Sequence, residues 1–201
     1  MDILSLHERA LDKAARLVDN VPPGQMSLPT PCAEWDVRAL LAHLVGGNLR
    51  WAAMARGEPL QHGPARGSGP SADLLGNDPA SSYRRSATAL QEAWQDPTLL
   101  DQTFDLPIGA LPGQAAMRLR LVETVVHAWD LAQATGQRPA FDPAAVREAW
   151  QFTVTTLPAC RPADSPFAAP VPVADDAPEI DRLAAYLGRT PCLSASDTRC
   201  P

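Results

Sequence analysis

The chain has 201 residues, a net charge of −6 and an apolar fraction of 45%. That length suits one domain that buries a core without staples. The acidic balance argues against nucleic acid as the main partner, because phosphate recognition needs a basic face. No apolar run reaches the roughly 18 residues of a membrane span. The opening Met1-Asp2-Ile3-Leu4 lacks a basic n-region and a cleavage site, so no signal peptide is expected. Cys32, Cys160, Cys192 and Cys200 form no C-x-x-C pair. This gives neither a zinc-ribbon nor a thioredoxin-like motif and points to reduced thiols in a cytoplasm.

Residues 3–20 read as an amphipathic helix: Leu4, Leu11, Ala14, Ala15 and Val18 recur at helical spacing. Val21-Pro22-Pro23-Gly24 ends it, and Pro29-Thr30-Pro31 makes a rigid approach to the next helix. Asp36 is an N-cap for a helix over 37–56, closed by Gly57. Residues 58–77 carry Gly, Pro and Ser in quantity and read as a mobile loop. Asp78-Pro79 opens a helix that runs through Trp94 and stops at Asp96-Pro97. Residues 98–113 suit a short hairpin or an irregular loop. A helix from Gln114 to Thr135 is closed by Gly136, and Asp142-Pro143 opens another that ends near Leu157-Pro158. Residues 158–178 hold too much proline for regular structure and are expected to lie extended across the helices. A short helix at 179–187 follows, ending at Gly188, and the last ten residues are expected to fray. Mostly short connections between four principal helices imply an all-α, antiparallel four-helix bundle with C-terminal additions.

Glu123 and His127 lie four residues apart in the most strongly helical stretch. At about 3.6 residues per turn they leave one face together. The surrounding Leu119, Leu121, Val122, Val125, Val126, Ala128 and Leu131 are apolar almost all round, the mark of a buried helix. A buried carboxylate needs a partner. A shared divalent metal supplies one; a plain Glu–His hydrogen bond is the simpler alternative. His43, on an earlier apolar helix, is the best third ligand, and two nitrogens with one carboxylate leave a position open for water or substrate. Gly46 and Gly47 beside His43 suit a close approach, either of a packed helix or of a substrate. Asp130 continues the face as a catalytic carboxylate that bonds a metal-bound water, orients a ligand imidazole or binds substrate, or else as the ion-pair partner of an arginine such as Arg120. His7 falls toward the polar side of its helix, where solvent is its expected neighbour, and His62 lies in the Gly/Pro loop. The five tryptophans, Trp35, Trp51, Trp94, Trp129 and Trp150, read as core or pocket wall.

Two blocks together carry a resemblance. Pro29-Thr30-Pro31-Cys32-Ala33-Glu34-Trp35-Asp36-Val37-Arg38, running into Leu41-Ala42-His43-Leu44-Val45-Gly46-Gly47-Asn48, is similar to a signature of mycothiol-dependent maleylpyruvate isomerase-like proteins, a branch of the DinB-like metal-binding bundles. Glu123-Thr124-Val125-Val126-His127-Ala128-Trp129-Asp130-Leu131-Ala132 resembles the second signature, and Asp181 through Arg189 resembles the end of its shorter members. The resemblance covers residues 1–190 and corresponds to a short form without the further C-terminal domain of maleylpyruvate isomerases. It implies a divalent metal, zinc in the usual case, on His43, Glu123 and His127, with mycothiol or another small thiol as cosubstrate. Residues 1–157 are then the metal-binding bundle, 158–190 a segment packed on it and 191–201 a disordered tail. The expected activity is a cytoplasmic, thiol-dependent S-transferase or isomerase acting on a small electrophile, with Asp130 positioning substrate or a proton. Arg38, Arg50, Arg84, Arg118 and Arg120 are the available anchors for polar groups. A metal hydrolase and a non-catalytic metal-stapled module are the alternatives, and oligomerisation is left open.

Overall fold

The computed structural model describes residues 2–33, 35–59, 74–106, 109–161, 165 and 167–191. His62, most of the Gly/Pro loop and the final ten residues fall outside them. The chain folds as an antiparallel four-helix bundle with additions, the all-α class expected. The bundle helices are α1 (Ile3–Asp19), α2 (Val37–Ala55), α3 (Pro79–Ala93) and α4 (Gly113–Thr135). α1 packs along α4, and α2 along α3. Two further helices, α5 (Pro143–Thr156) and α6 (Glu179–Tyr186), lie against α4. Among the described residues, no helix is long and apolar enough to cross a membrane.

Aspartates start four of these helices in the same way. Asp2 accepts from the Ser5 N–H at 2.9 Å, Asp36 from Ala39 at 2.8 Å, Asp78 from Ser81 at 3.0 Å, and Asp142 from Ala144 and Ala145 at 2.9 and 3.0 Å. Each cap satisfies amides that the first turn leaves without partners, worth about 1 kcal/mol. Gly136 closes α4 with φ +68°, a left-handed conformation natural to glycine.

The connections are more ordered than their composition suggests. Pro29 and Asp36 form an isolated antiparallel bridge, and the Thr30 N–H donates to the Trp35 carbonyl at 3.1 Å. This closed loop presents Cys32 and Trp35 beside the start of α2. A short 3-10 turn at Pro97–Asp101 leads into the hairpin β1 (Thr103–Leu106) and β2 (Gly109–Pro112), in register Phe104 with Leu111. Of the two readings that sequence left open for 98–113, the hairpin is the one formed. The described residues of 158–178 hold no helix or strand. They are tied to α6 by Arg161, which donates to the carbonyls of Ala168 and Tyr186 and sits 5.1 Å from the Tyr186 ring centroid.

α4 is the central element. Every residue from Arg120 to Ala132 is buried except Glu123, which is half-buried. One of the buried groups is the Arg120 guanidinium, whose Nη2 donates to Asn48 Oδ1 at 2.6 Å and to the Leu44 carbonyl at 3.3 Å. Gly47 makes room for it: a Cβ there would lie 2.8 Å from Arg120 Nη1. At Gly46 a Cβ would meet, among the described residues, only Leu74 Cδ1, at 3.1 Å on an exposed side chain. The close approach inferred from the two glycines is therefore that of the packed α4 side chain, and it concerns Gly47 alone.

The two glycines should respond oppositely to alanine. A mid-helix glycine-to-alanine change gains about 1 kcal/mol of helix propensity. Gly46→Ala should keep much of that gain, because the Leu74 tip can move. Gly47→Ala should lose it, because displacing Arg120 breaks a buried charged hydrogen bond and overpacks the core, at about 1–3 kcal/mol. Denaturant unfolding of both variants checks this; equal effects of one sign would refute it.

Candidate metal centre

Two helices supply the ligand candidates. α2 presents His43, and one face of α4 presents Glu123, His127 and Asp130. His43 Nε2 lies 3.1 Å from Glu123 Oε2, and His127 Nε2 lies 3.5 Å from the same oxygen. One donor atom from each of the three residues falls within 4.8 Å of the others. Metal–ligand bonds of about 2.0–2.1 Å in a tetrahedron separate donors by roughly 3.3 Å. The donor atoms therefore stand near the spacing a shared cation needs.

The site is closed on one side and open on the other. His127 and Asp130 are buried, whereas the His43 and Glu123 side chains keep 27% and 21% of their accessible surface. Asp130 stands behind His127, accepting from its Nδ1 at 2.9 Å. A carboxylate only accepts, so Nδ1 carries the proton and Nε2 faces Glu123. Trp35 forms the wall, its ring 4.5 Å from the His43 ring and 5.7 Å from that of His127. Cys32 lies on the Asp130 side, its Sγ within 4.8 Å of a donor atom of His127 and of Asp130.

Charges within the cluster set each other. Burial would raise the Glu123 carboxyl, but hydrogen bonds from His127 and His43 outweigh it and hold the group well below its ordinary value. Burial would lower His127, yet Asp130 and Glu123 together raise it. His43 is lowered, chiefly by burial. Asp130 is lowered despite its burial, by His127 and by Arg189. In contact, then, are two carboxylates held low, an imidazole whose hold on a proton is strengthened between them, and one guanidinium.

Several sequence expectations change here. His7 is not solvated. It is buried between α1 and α4, with Nε2 3.1 Å from Thr124 Oγ1. The single Thr124 hydroxyl proton goes to the Arg120 carbonyl at 2.9 Å, so His7 Nε2 is the donor. Asp130 does pair with an arginine, but the partner is Arg189, at 3.2 and 3.3 Å, rather than the Arg120 offered as an example. Of the proposed arginine anchors, Arg84 is held by Asp19, Arg118 by Glu148 at 2.6 Å and Arg120 by Asn48. Trp35 is pocket wall rather than core. Arg189 was not singled out, because nothing local links it to a carboxylate 59 positions earlier.

Comparisons place the chain and its fold among known proteins. Residues 7–132 match the family model described as the mycothiol maleylpyruvate isomerase N-terminal domain. Two uncharacterized proteins, from two strains of Mycobacterium tuberculosis, are each 39% identical to the chain over 194 residues, covering 94% of it and 99% of themselves. A crystal structure of the mycothiol-dependent maleylpyruvate isomerase superposes with TM-score 0.59 at 16% identity, over 73% of this chain. A histidine-to-alanine mutant of that enzyme gives 0.57 at 18% identity. This chain spans 65% of the length of either solved chain, and the likeness to them is one of fold.

His7 gives the site's surroundings a measurable pH dependence. Its burial, with Arg120 nearby, pushes its pKa down from 6.5 to about 3. Between those values the unfolded chain binds the extra proton, so stability is complete above pH 6.5 and falls as pH drops toward 3. The His7 contribution should reduce the folded-to-unfolded ratio by roughly tenfold per pH unit in that window. Unfolding of wild type and His7→Leu from pH 7.5 to 4 isolates the effect. The wild type should lose stability relative to the variant on acidification; a constant difference would show that His7 is not buried neutral.

Proposed function

Because the chain belongs to the family of the mycothiol maleylpyruvate isomerase N-terminal domain, we propose that it is a metal-dependent, thiol-using enzyme, an isomerase or S-transferase. His43, Glu123 and His127 hold a divalent cation, zinc in the first instance. Mycothiol or a similar small thiol is the cosubstrate, and a small electrophile is the second substrate. We read residues 1–157 as the metal-binding bundle and 158–190 as the segment that packs on it, working in the cytoplasm.

One observation carries the reading: two imidazole nitrogens converge on one carboxylate oxygen, at 3.1 and 3.5 Å, at the edge of a core with one side open. The donor set suits zinc, and the half-exposed His43 and Glu123 leave room for a fourth, exchangeable ligand. When bound there, the metal lowers the pKa of a coordinated thiol and keeps it as thiolate at neutral pH. The charges support an anion at that position. A dication beside neutral imidazoles leaves Glu123, Asp130 and Arg189 with one positive charge in excess, and buried Arg120 adds to it.

The chain's own groups then do the following. Asp130 fixes the tautomer and orientation of His127 through Nδ1. Trp35 covers both imidazoles and restricts water on that side. Glu123 stays ionised because both imidazoles donate to it or share a cation with it. The hydrolase alternative needs a general base facing the open position. Asp130, the residue nominated for that role, is fully buried behind His127 and faces away. The stapled-module alternative needs a fourth ligand, and neither Asp130 nor His7 joins the group of three among the described residues.

Metal analysis tests the reading. Purified wild-type protein should carry about one divalent ion per chain. His127→Ala should lose affinity by more than the roughly 10–100-fold that loss of an outer partner costs. Incubation with a small thiol and an aromatic or alkenyl electrophile, followed by mass spectrometry, should show metal-dependent acceleration of the thiol adduct. Equal metal loads in wild type and variant, or a thiol reaction indifferent to the protein, would refute it.

A further inference from the structure

The structure assigns Arg189 as a positioning residue of this site, acting on His127 through Asp130. It is delivered from a segment of the chain beyond the region 7–132 that defines the family match. The inference rests on the reading of His127 as a metal ligand.

The geometry is a chain of contacts. His127 Nδ1 donates to Asp130 Oδ2 at 2.9 Å. Arg189 Nη2 donates to that same oxygen at 3.2 Å, and Arg189 Nε donates to Oδ1 at 3.3 Å. The guanidinium thus grips the carboxylate along both oxygens, the fork arrangement that fixes orientation as well as charge. Asp130 is 0% and Arg189 6% exposed. A buried carboxylate stripped of this partner is strongly disfavoured, and either takes up a proton or turns away. Both outcomes weaken the hold on the imidazole that it orients.

The C-terminal segment is built to hold Arg189 there. Nη1 donates back to the Leu187 carbonyl at 3.0 Å, and the guanidinium lies 5.6 Å from the Phe167 ring centroid. Gly188, at φ +84°, turns the chain after α6, and a Cβ on it would fall 2.6 Å from Ala168 Cβ. Arg161 joins the same two stretches, bonding the carbonyls of Ala168 and Tyr186. The proline-rich strap and α6 therefore form one clamp whose end reaches the site from behind. A tether that served only stability needs no carboxylate already engaged with a ligand imidazole.

Zinc affinity by chelator competition, and the visible spectrum of the cobalt(II)-loaded protein, test this on Arg189→Met, Arg189→Lys, Asp130→Asn and the Asp130→Asn/Arg189→Met double variant. Arg189→Met should weaken zinc binding about tenfold or more and shift the cobalt bands. Arg189→Lys, which keeps the charge but not the fork, should recover only part of the loss. In the Asp130→Asn background, Arg189→Met should change affinity by less than about twofold, because the group through which it acts is gone. Should Arg189→Met not fold, Arg189→Lys compared with and without Asp130→Asn carries the same test. Wild-type metal binding with an Arg189→Met affinity and cobalt spectrum unchanged would overturn the role of Arg189 alone. Effects of the two substitutions that simply add would do the same. A wild type that takes up neither zinc nor cobalt would overturn the metal reading and this inference together.

Discussion

A carboxylate placed on a helix that is otherwise apolar all round is the constraint from which the rest follows. Glu123 interrupts the one stretch of α4 in which every other residue from Arg120 to Ala132 is buried. An ionised carboxylate there is tolerated only with strong partners. One comes from the next turn of the same helix, His127, and the other must come from a different helix, His43. The bundle supplies that meeting. α2 crosses α4 where Gly47 accepts the Arg120 side chain, and the capped loop at 29–36 sets Trp35 over both rings. Packing and site geometry are thus one problem in this fold, not two.

Burial is graded across the site, and the grading separates duties. On the closed side lie His127, Asp130 and Arg189, each with a charge-assisted hydrogen bond and almost no contact with water. Such groups are costly to desolvate and rigid once paired, which suits holding a ligand in place. On the open side His43 and Glu123 remain in part accessible, which suits exchange of a bound small molecule. Beneath both, His7 and Arg120 place a neutral imidazole and a guanidinium bonded to Asn48 in the core. On the proposed reading, that guanidinium adds to the positive charge of a cation held at the open position.

Sequence made local facts legible and left tertiary ones hidden, for physical reasons. Helix ends were readable because the Asp caps and Gly136 satisfy or release backbone groups within one turn. Glu123 and His127 were readable as a pair because side chains four apart share a helix face. His43 stands out as a third ligand from its place on an apolar helix beside two glycines, and the resemblance names the same residue, although no periodicity connects α2 to α4. His7 does carry a local signal of burial. It stands four after Ile3 and three and four before Ala10 and Leu11, all buried, so it belongs to an apolar face made wide because α1 touches α3, α4 and α5. Arg189 carried no such signal. Its partner lies on another helix, and only the strap anchored by Arg161 and Gly188 brings them together. The hairpin at 103–112 was undecided for a similar reason: its short strands are stabilised by Phe104 packing in the core, near Trp94, rather than by their own alternation.

The central claim is that one cation sits between His43, Glu123 and His127. X-ray absorption at the zinc edge of the metal-loaded protein tests it most directly, since it reads the ligands and not merely the amount of metal. Two imidazole nitrogens and a carboxylate oxygen at about 2.0–2.1 Å, with one further exchangeable light atom replaced by sulfur when a small thiol is added, are the expected result. A spectrum without imidazole scattering, or with a complete ligand set that no thiol alters, would contradict it.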